Sequence, residues 1–318
     1  MQKLLLTGIN SFAGSHLVDY ILQNHKDVKI HGTIRQSSRL DNIQHNLRYI
    51  SLHRCNLLEA QDVNEVISLV KPDKVFHLAA QSSLVTSWSS PRDTFKNNIL
   101  SQCNLFEAIR KYKSDCKVLI CGSSEEYGAV SSSDLPVTEE TLLRPLSPYA
   151  VSKVTQDLMA FQYFKSYGLH TIRTRAFNHS GARRPAEFVD SGFAKQVAEI
   201  ELGLRQPVLY HGNLDAIRDF IHVKDVVRAY WIALDKCQAG DVYNICSECG
   251  TKISEILTTL LLMTDAKIET KLDGARLRPS DVPALFGDCS KFKQATGWKV
   301  ELSYRQALED MLNYWREK

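Results

Sequence analysis

The sequence predicts an α/β chain, with a doubly wound parallel sheet followed by a smaller C-terminal substrate-binding lobe. Three observations predict it. Up to Asn178, short apolar runs rich in Val and Ile alternate with helical patterns. Runs of that kind belong to parallel strands covered on both faces. A glycine-bearing turn, "LTGINSFAG", follows the first run. Beyond Asn178 the rhythm changes to loops that carry many arginines.

The elements follow in order. "KLLLTG" is a strand, and Phe12, Leu17, Ile21 and Leu22 mark the helix after it. Next come the strands "VKIHGTI" and "RYISLH", a helix through "DVNEVISLV", and the strand "KVFHLAA". A helix around "NLFEAIRKY" leads to the strand "KVLICGSS". Another around "VSKVTQDLMAFQYF" leads to "HTIRTRAFN". Connection chirality makes the doubly wound sheet the natural way to join these units. The later loops "GARRPAEF" and "RLRPSDVPALFGD" flank helices such as "SGFAKQVAEIEL" and "SYRQALEDMLNYW". Residues 1–178 are therefore expected to bind a dinucleotide, with a segment near 212–246 returning to that domain. Residues 179–318 are expected to form most of the second lobe, with "AVSSSDLP" as a surface loop.

Composition narrows the function. The 318 residues are 44% hydrophobic and 24% charged, with a formal net charge of +3. That is an ordinary globular balance, and it lacks the long basic run of a nucleic-acid binder. No apolar run approaches the ~18 residues of a membrane span. The first residues enter a strand at once, which leads us to expect a cytoplasmic chain with no signal peptide and no membrane partner. Eight cysteines are scattered along it. Cys246 and Cys249 form a lone C-x-x-C with no second ligand pair, so no metal site is expected and the thiols read as buried or incidental.

The turn after the first strand has the pattern G-x-x-G-x-x-G of a Rossmann dinucleotide fold, with Gly8 and Gly14 present and Ser11 in the middle position. The first glycine of that pattern permits the tight turn, the second lets backbone approach a pyrophosphate, and the third lets helix pack on strand. Serine at the middle position holds the phosphate slightly farther out, or gives it a hydroxyl to bond. The helix from Phe12 points its positive end, about half a charge, at that place. An NAD site wants a carboxylate at the end of the second strand, roughly 20 residues on. "HGTIRQSSRLD" offers Arg35 and Arg39 with Ser37 and Ser38 instead. Guanidinium suits a 2′-phosphate, which favours NADP. The same stretch also reads as a solvated basic turn.

"SPYAVSK" contains Tyr149 and Lys153, four apart and so on one face of a helix. The lysine is expected to draw the phenol's pKa down from ~10 towards neutrality, a shift worth ~4 kcal/mol in favour of phenolate. Alone, Y-x-x-x-K is common. "CGSSEEYG" brings Ser123 and Ser124 to the carboxyl end of a buried strand, where such folds bind ligands. Ser123 can bond the same substrate oxygen as Tyr149. Glu125 is the carboxylate of interest, although a loop glutamate is more often simply solvated.

Gly8, Gly14, Ser123, Tyr149 and Lys153 in this order resemble the extended short-chain dehydrogenase/reductase family over essentially the whole chain. "HLAAQSS" after the fourth strand and Asn98 in "TFKNNI" belong to the resemblance. Ser11, Asn56 in place of an adenine-facing aspartate, and Ser101-Gln102 in place of Gly-Thr depart from it. The resemblance implies that NADP is held by Gly8, Asn10, Ser11, Phe12, Gly14, Arg35, Asn56, Leu57, Leu78, Ala79, Ala80 and Asn98, with Tyr149 and Lys153 at the nicotinamide.

"FNHSGARR", "GNLDAIRDF" and "RPSDVPALFGD" resemble the GDP-mannose 4,6-dehydratases and the GDP-4-keto-6-deoxymannose reductases. "RQSSRLDNIQH" and the pair Arg183-Arg184 look more like the dehydratases. This implies a GDP-sugar substrate held by Ser87, Asn178, Val189, Lys195, Arg218 and Arg278, with Asp281 near a ribose. A diphosphate suits guanidinium forks. The expected assembly is a homodimer or homotetramer, and the apolar faces of "NLFEAI" and "QDLMAFQYF" can serve either pairing or the core.

In the dehydratase reading Tyr149 takes the proton of the sugar 4-hydroxyl, and Glu125 then removes the C5 proton and helps the 6-hydroxyl leave as water. In the reductase reading Tyr149 gives a proton to an existing 4-ketone and Glu125 has no acid–base role. A catalytically dead NADP sensor would lack the serine, tyrosine or lysine, and all three are present.

Overall fold

The computed structural model describes residues 1–277 and 282–318. The first half is built from β1 (Gln2–Thr7), α1 (Phe12–Asn24), β2 (Val28–Ile34), β3 (Ile50–Arg54), α2 (Ala60–Val70) and β4 (Lys74–His77). Two short helices, α3 (Leu84–Ser89) and α4 (Pro91–Phe95), lead into α5 (Ser101–Tyr112). Then come β5 (Lys117–Ser123), α6 (Pro148–Tyr167), β6 (Thr171–Ala176) and β7 (Asn178–Ser180). The second half holds α7 (Val189–Glu201), β8 (Val208–His211), β9 (Ile217–His222), α8 (Val223–Lys236) and β10 (Val242–Ile245). It continues through β11 (Gly250–Lys252), α9 (Ile253–Leu261), β12 (Glu269–Leu272), β13 (Ala284–Leu285), α10 (Ser290–Thr296) and α11 (Tyr304–Arg316).

Among the described residues, seven strands form one parallel sheet in the order β10-β6-β5-β4-β1-β2-β3. The order reverses beside β1, which is where doubly wound sheets open a crevice at their carboxyl ends. Alternation along each strand builds two cores. Leu4 and Leu6 of β1 face the side of α1 and α8, with Leu17, Ile21, Val226 and Tyr230. Leu5 faces the other side, with Val63 and Ile67 of α2 and Leu105, Phe106 and Ile109 of α5. The apolar face of "NLFEAI" is thus spent on the core, whereas Leu158 and Phe161 of α6 remain 54% and 39% exposed.

Helix ends follow local chemistry. Ser147 caps α6 by accepting from the Ala150 N–H, Pro148 opens the helix, and Gly168 closes it in the left-handed conformation. A third core joins α7, α9 and α11 through Phe193, Ile256, Leu257, Leu308 and Leu312. β9 pairs with β7, β11 and β13, and β8 pairs with β12. From the second half β10 returns to the main sheet beside β6, with α8 packed on α1.

Phe76 on β4 is fully buried and lies parallel to the Trp231 ring of α8, 6.2 Å away. Phe76→Ala should therefore cost about 3–5 kcal/mol in urea unfolding, and a loss below about 1 kcal/mol would contradict this packing.

Candidate active site

β1 delivers the chain into a turn whose two glycines leave no room for a Cβ. Gly8 has φ 70, and a Cβ there would stand 2.9 Å from the backbone of Ala79. A Cβ at Gly14 would collide with the Gly8 carbonyl. Ser11 donates its N–H to the Gly8 carbonyl at 2.9 Å. Its hydroxyl accepts the Gly14 N–H at 3.1 Å and caps α1. The middle position thus serves the helix end, and its hydroxyl proton stays free to donate. Phe12 opens α1 and stacks on His179, 5.7 Å between ring centres.

Asn10 ties the basic turn to this cradle. It donates to the Arg39 carbonyl at 3.0 Å and accepts from Asn42 at 3.1 Å. The exposed Arg35 donates its N–H to Ser38 Oγ and its guanidinium to Asn97 Oδ1, at 2.9 and 2.8 Å. Across the crevice the Ala79 N–H donates to Thr7 Oγ1 at 3.2 Å, and Leu78 bonds the Thr7 carbonyl. Ala80 continues that loop. Asn56 Oδ1 accepts the Leu58 N–H, while the Leu57 carbonyl accepts from Asn104. Asn98 is fully buried, and its carboxamide pairs with the Gln81 backbone on both sides and donates to Ser152 Oγ. It pins the loop after β4 to α6.

Ser123, Glu125, Tyr149 and Lys153 come together at the carboxyl end of β5 and the first turns of α6. The Tyr149 hydroxyl is hydrogen-bonded to Ser123. Ser123 Oγ also accepts the Glu125 N–H at 3.2 Å. Lys153 is 4% exposed, donates to the Cys121 carbonyl at 2.7 Å and lies 5.9 Å from the Tyr149 ring centre. Its pKa is lowered by burial.

The tyrosine corrects the expectation from sequence. Burial, then the Cys121 thiol, push its pKa up; the Ser123 bond opposes them, and Glu125 and Glu126 add to the rise. The ammonium points at the Cys121 carbonyl, so it does not offset the desolvation of a phenolate. Tyr149 is accordingly a neutral phenol, able to give a proton before it can take one.

The remaining predicted residues lie on α3 and on elements from β7 onward. Asn178 begins β7, stands in register with Phe220 of β9 and donates to the Asp219 carbonyl at 3.1 Å; Arg218 is on the same strand β9. Arg218 donates to the Ile217 carbonyl. Val189 is the first residue of α7. Lys195 on the same helix pairs with Glu199 at 3.5 Å and lies over the Trp315 ring. Ser87 is fully buried and bonds the Leu84 carbonyl inside α3. Arg278 and Asp281 fall outside the described residues.

Two features are absent from the sequence reading. Asp219 is buried, and its carboxylate gathers Ser247, Glu248 and Gly287, which fixes the "CSEC" loop and the end of β13 to β9. Burial raises its pKa to about 6. Glu126, Asp157, Arg173 and Arg175 form a buried group of ionisable side chains behind the turn that carries Ser123 and Glu125. Arginines at alternate positions of the apolar strand "TIRTRA" were a visible sign of it. The C-x-x-C does not form a pair: Cys246 is buried and its carbonyl accepts from the Cys289 thiol at 3.5 Å, while Cys249 is exposed, and all three are free. Among the described residues no group of three or more His, Cys, Asp or Glu could hold a metal, and no helix is long and apolar enough to cross a membrane.

The sequence model of the GDP-mannose 4,6 dehydratase family matches residues 5–311. The chain is 31% identical over 317 residues to a GDP-6-deoxy-D-mannose reductase of Pseudomonas aeruginosa, covering 100% of this chain and 98% of the relative. It is 33% identical over 325 residues to GDP-mannose 4,6 dehydratase 2 of Arabidopsis thaliana, covering 97% of this chain and 85% of the relative. The solved structure of RMD from Pseudomonas aeruginosa complexed with NADPH superposes with a TM-score of 0.87 at 30% identity, over 100% of this chain and 99% of that one.

Gly8 and Gly14 let backbone pack on backbone in front of α1, which leaves a backbone cradle at the helix N-terminus, the kind of place that takes a dinucleotide's diphosphate. Gly8→Ala should raise the Kd for NADPH at least about tenfold in a fluorescence titration, since the left-handed φ and the Ala79 contact both resist a Cβ. An unchanged Kd would contradict the cradle.

Proposed function

Because the chain belongs to the GDP-mannose 4,6-dehydratase family, we propose that it converts GDP-mannose to GDP-4-keto-6-deoxymannose with a recycled NADP cofactor. The observation that carries this reading is the family match over residues 5–311; the base that its chemistry needs, a residue that does not by itself separate it from a reductase, is Glu125. It lies in the turn bonded to Ser123, and its charge reaches Tyr149. A carboxylate beside the serine–tyrosine pair can act one carbon away from the oxygen that the pair holds.

NADP, when bound, supplies a hydride acceptor for C4 and the same hydride for C6. Gly8, Ser11, Gly14 and the loop from Leu78 to Ala80 would hold its diphosphate and nicotinamide side, and Arg35 its 2′-phosphate. Asn178, Val189, Lys195 and Arg218, with Arg278 and Asp281, would hold the nucleotide-sugar. Ser123 holds the sugar O4, and Tyr149, once its own proton has passed to solvent, takes the O4 proton. With C4 a ketone the C5 proton is acidic, and Glu125 takes it as general base. The same carboxyl then gives a proton to the 6-hydroxyl, which leaves as water. The proton left on the enzyme returns to C5, so one water is lost and no net redox remains. The account uses one chain, with the exposed Leu158 and Phe161 of α6 available to a homodimer or homotetramer.

A second reading has its own support. The reductase relative matches end to end, while the dehydratase relative extends past the match. A resting neutral phenol also suits a proton donor. In that reading Tyr149 protonates the O4 of a supplied 4-keto sugar as NADPH is consumed.

One assay separates them. With GDP-mannose and a trace of NADP, mass spectrometry should find a product lighter by one water with no net NADPH use. Glu125→Gln should slow this by about 10²–10⁴. Full dehydratase rate in Glu125→Gln would contradict the base assignment. NADPH oxidation by GDP-4-keto-6-deoxymannose, with GDP-mannose inert, would establish the reductase instead.

A further inference from the structure

The catalytic turn hangs on a side chain that the proposed chemistry leaves unused. Glu126 is fully buried next to Glu125. Its Oε1 accepts the Ser123 N–H at 2.7 Å and completes a capping box that starts at Ser123. Its Oε2 has no hydrogen-bond partner and lies 3.3 Å from Arg175 Nε. The backbone makes room for this carboxyl: a Cβ at Gly122 would collide with Glu126 Oε1 and stand 2.6 Å from the Thr174 carbonyl.

Arg175 extends the connection. Its Nε donates to Asp157 Oδ2 at 3.0 Å, and Asp157 is also held by Arg173. Tyr149, Lys153 and Asp157 follow one another at four-residue steps on α6, along one helix face. One guanidinium therefore lies between the helix that carries the tyrosine and the turn that carries the serine. Burial, then the Asp157 charge, push the Glu126 acid up to about 8, against the pull of Arg175 and the Ser123 N–H. The hydrogen bond from Ser123 is available in either protonation state.

We infer that Glu126 is a positioning residue, whose carboxyl holds the Ser123 backbone at the reach that brings the Ser123 and Tyr149 hydroxyls onto one substrate oxygen. This rests on the serine–tyrosine–lysine reading of the site and holds for either direction of the reaction.

Two substitutions separate reach from charge. Glu126→Asp keeps the acid and shortens the arm by one methylene. Glu126→Gln keeps the arm and the acceptor and removes the acid. The aspartate variant should lose kcat by about ten- to hundredfold with KM within about twofold, while the glutamine variant stays within about threefold on both. Hydrogen–deuterium exchange over residues 119–128 should quicken in the aspartate variant and stay at wild type in the glutamine variant. Exchange needs no turnover, so wild-type enzyme inert toward both sugars would count against the proposed function while exchange still decides this inference. Wild-type kcat and protection in Glu126→Asp would overturn it. So would a loss in Glu126→Gln equal to that in Glu126→Asp. If the aspartate variant does not fold, Glu126→Met, which keeps the length and removes the acceptor, takes its place with the same expected losses against Glu126→Gln.

Discussion

A hydrogen bond from the Lys153 ammonium to the Cys121 carbonyl joins the two elements on which the site is built. The lysine is buried on α6, and an unpaired buried ammonium is costly. Its nearest backbone acceptor lies two residues before Ser123 on β5. Satisfying the charge therefore fixes the start of α6 against the end of β5. Tyr149, one turn earlier on the same helix face, is brought to Ser123 as a consequence. The Glu126–Arg175–Asp157 group makes a second link between the same two elements, farther from solvent.

The sheet decides where this link sits. β1 lies beside β4 on one side and β2 on the other, so the strand order reverses there and the connections diverge. At the carboxyl ends the backbones of Gly8 and Ala79 pack together where β1 lies beside β4, and Ser123 ends β5, the strand on the other side of β4. β7 and β9 carry Asn178 and Arg218 on neighbouring strands, with Asp219 holding the loops around them.

Much of the fold was legible because its signals are local. Apolar alternation in "KLLLTG" and "KVLICGSS", the helical spacing after Phe12, and the break after Asn178 each require a window of a few residues. The serine, glutamate, tyrosine and lysine could be picked out for the same reason, because each pair is close in sequence. What escaped reading depends on distance and burial. The direction of the Lys153 ammonium is set by a strand 32 residues away, and that reversed the expected shift of Tyr149. Ser11 was weighed as a replacement for glycine beside a phosphate, yet its oxygen is engaged at the helix end. Glu126 was hidden beside Glu125, since the two differ only in which way the turn faces them. The partners that reveal it, Arg175 and Asp157, come from later elements.

In the proposed reaction Lys153 acts by fixing the tyrosine–serine pair at the sugar C4. The most direct measurement is single-turnover hydride transfer with sugar or cofactor labelled at the transferred position, in wild type and in Lys153→Met. The account predicts a fall of at least about 10³ in the hydride step, a full primary isotope effect, and sugar affinity within about threefold of wild type. A hydride step in Lys153→Met as fast as that of wild type would contradict it.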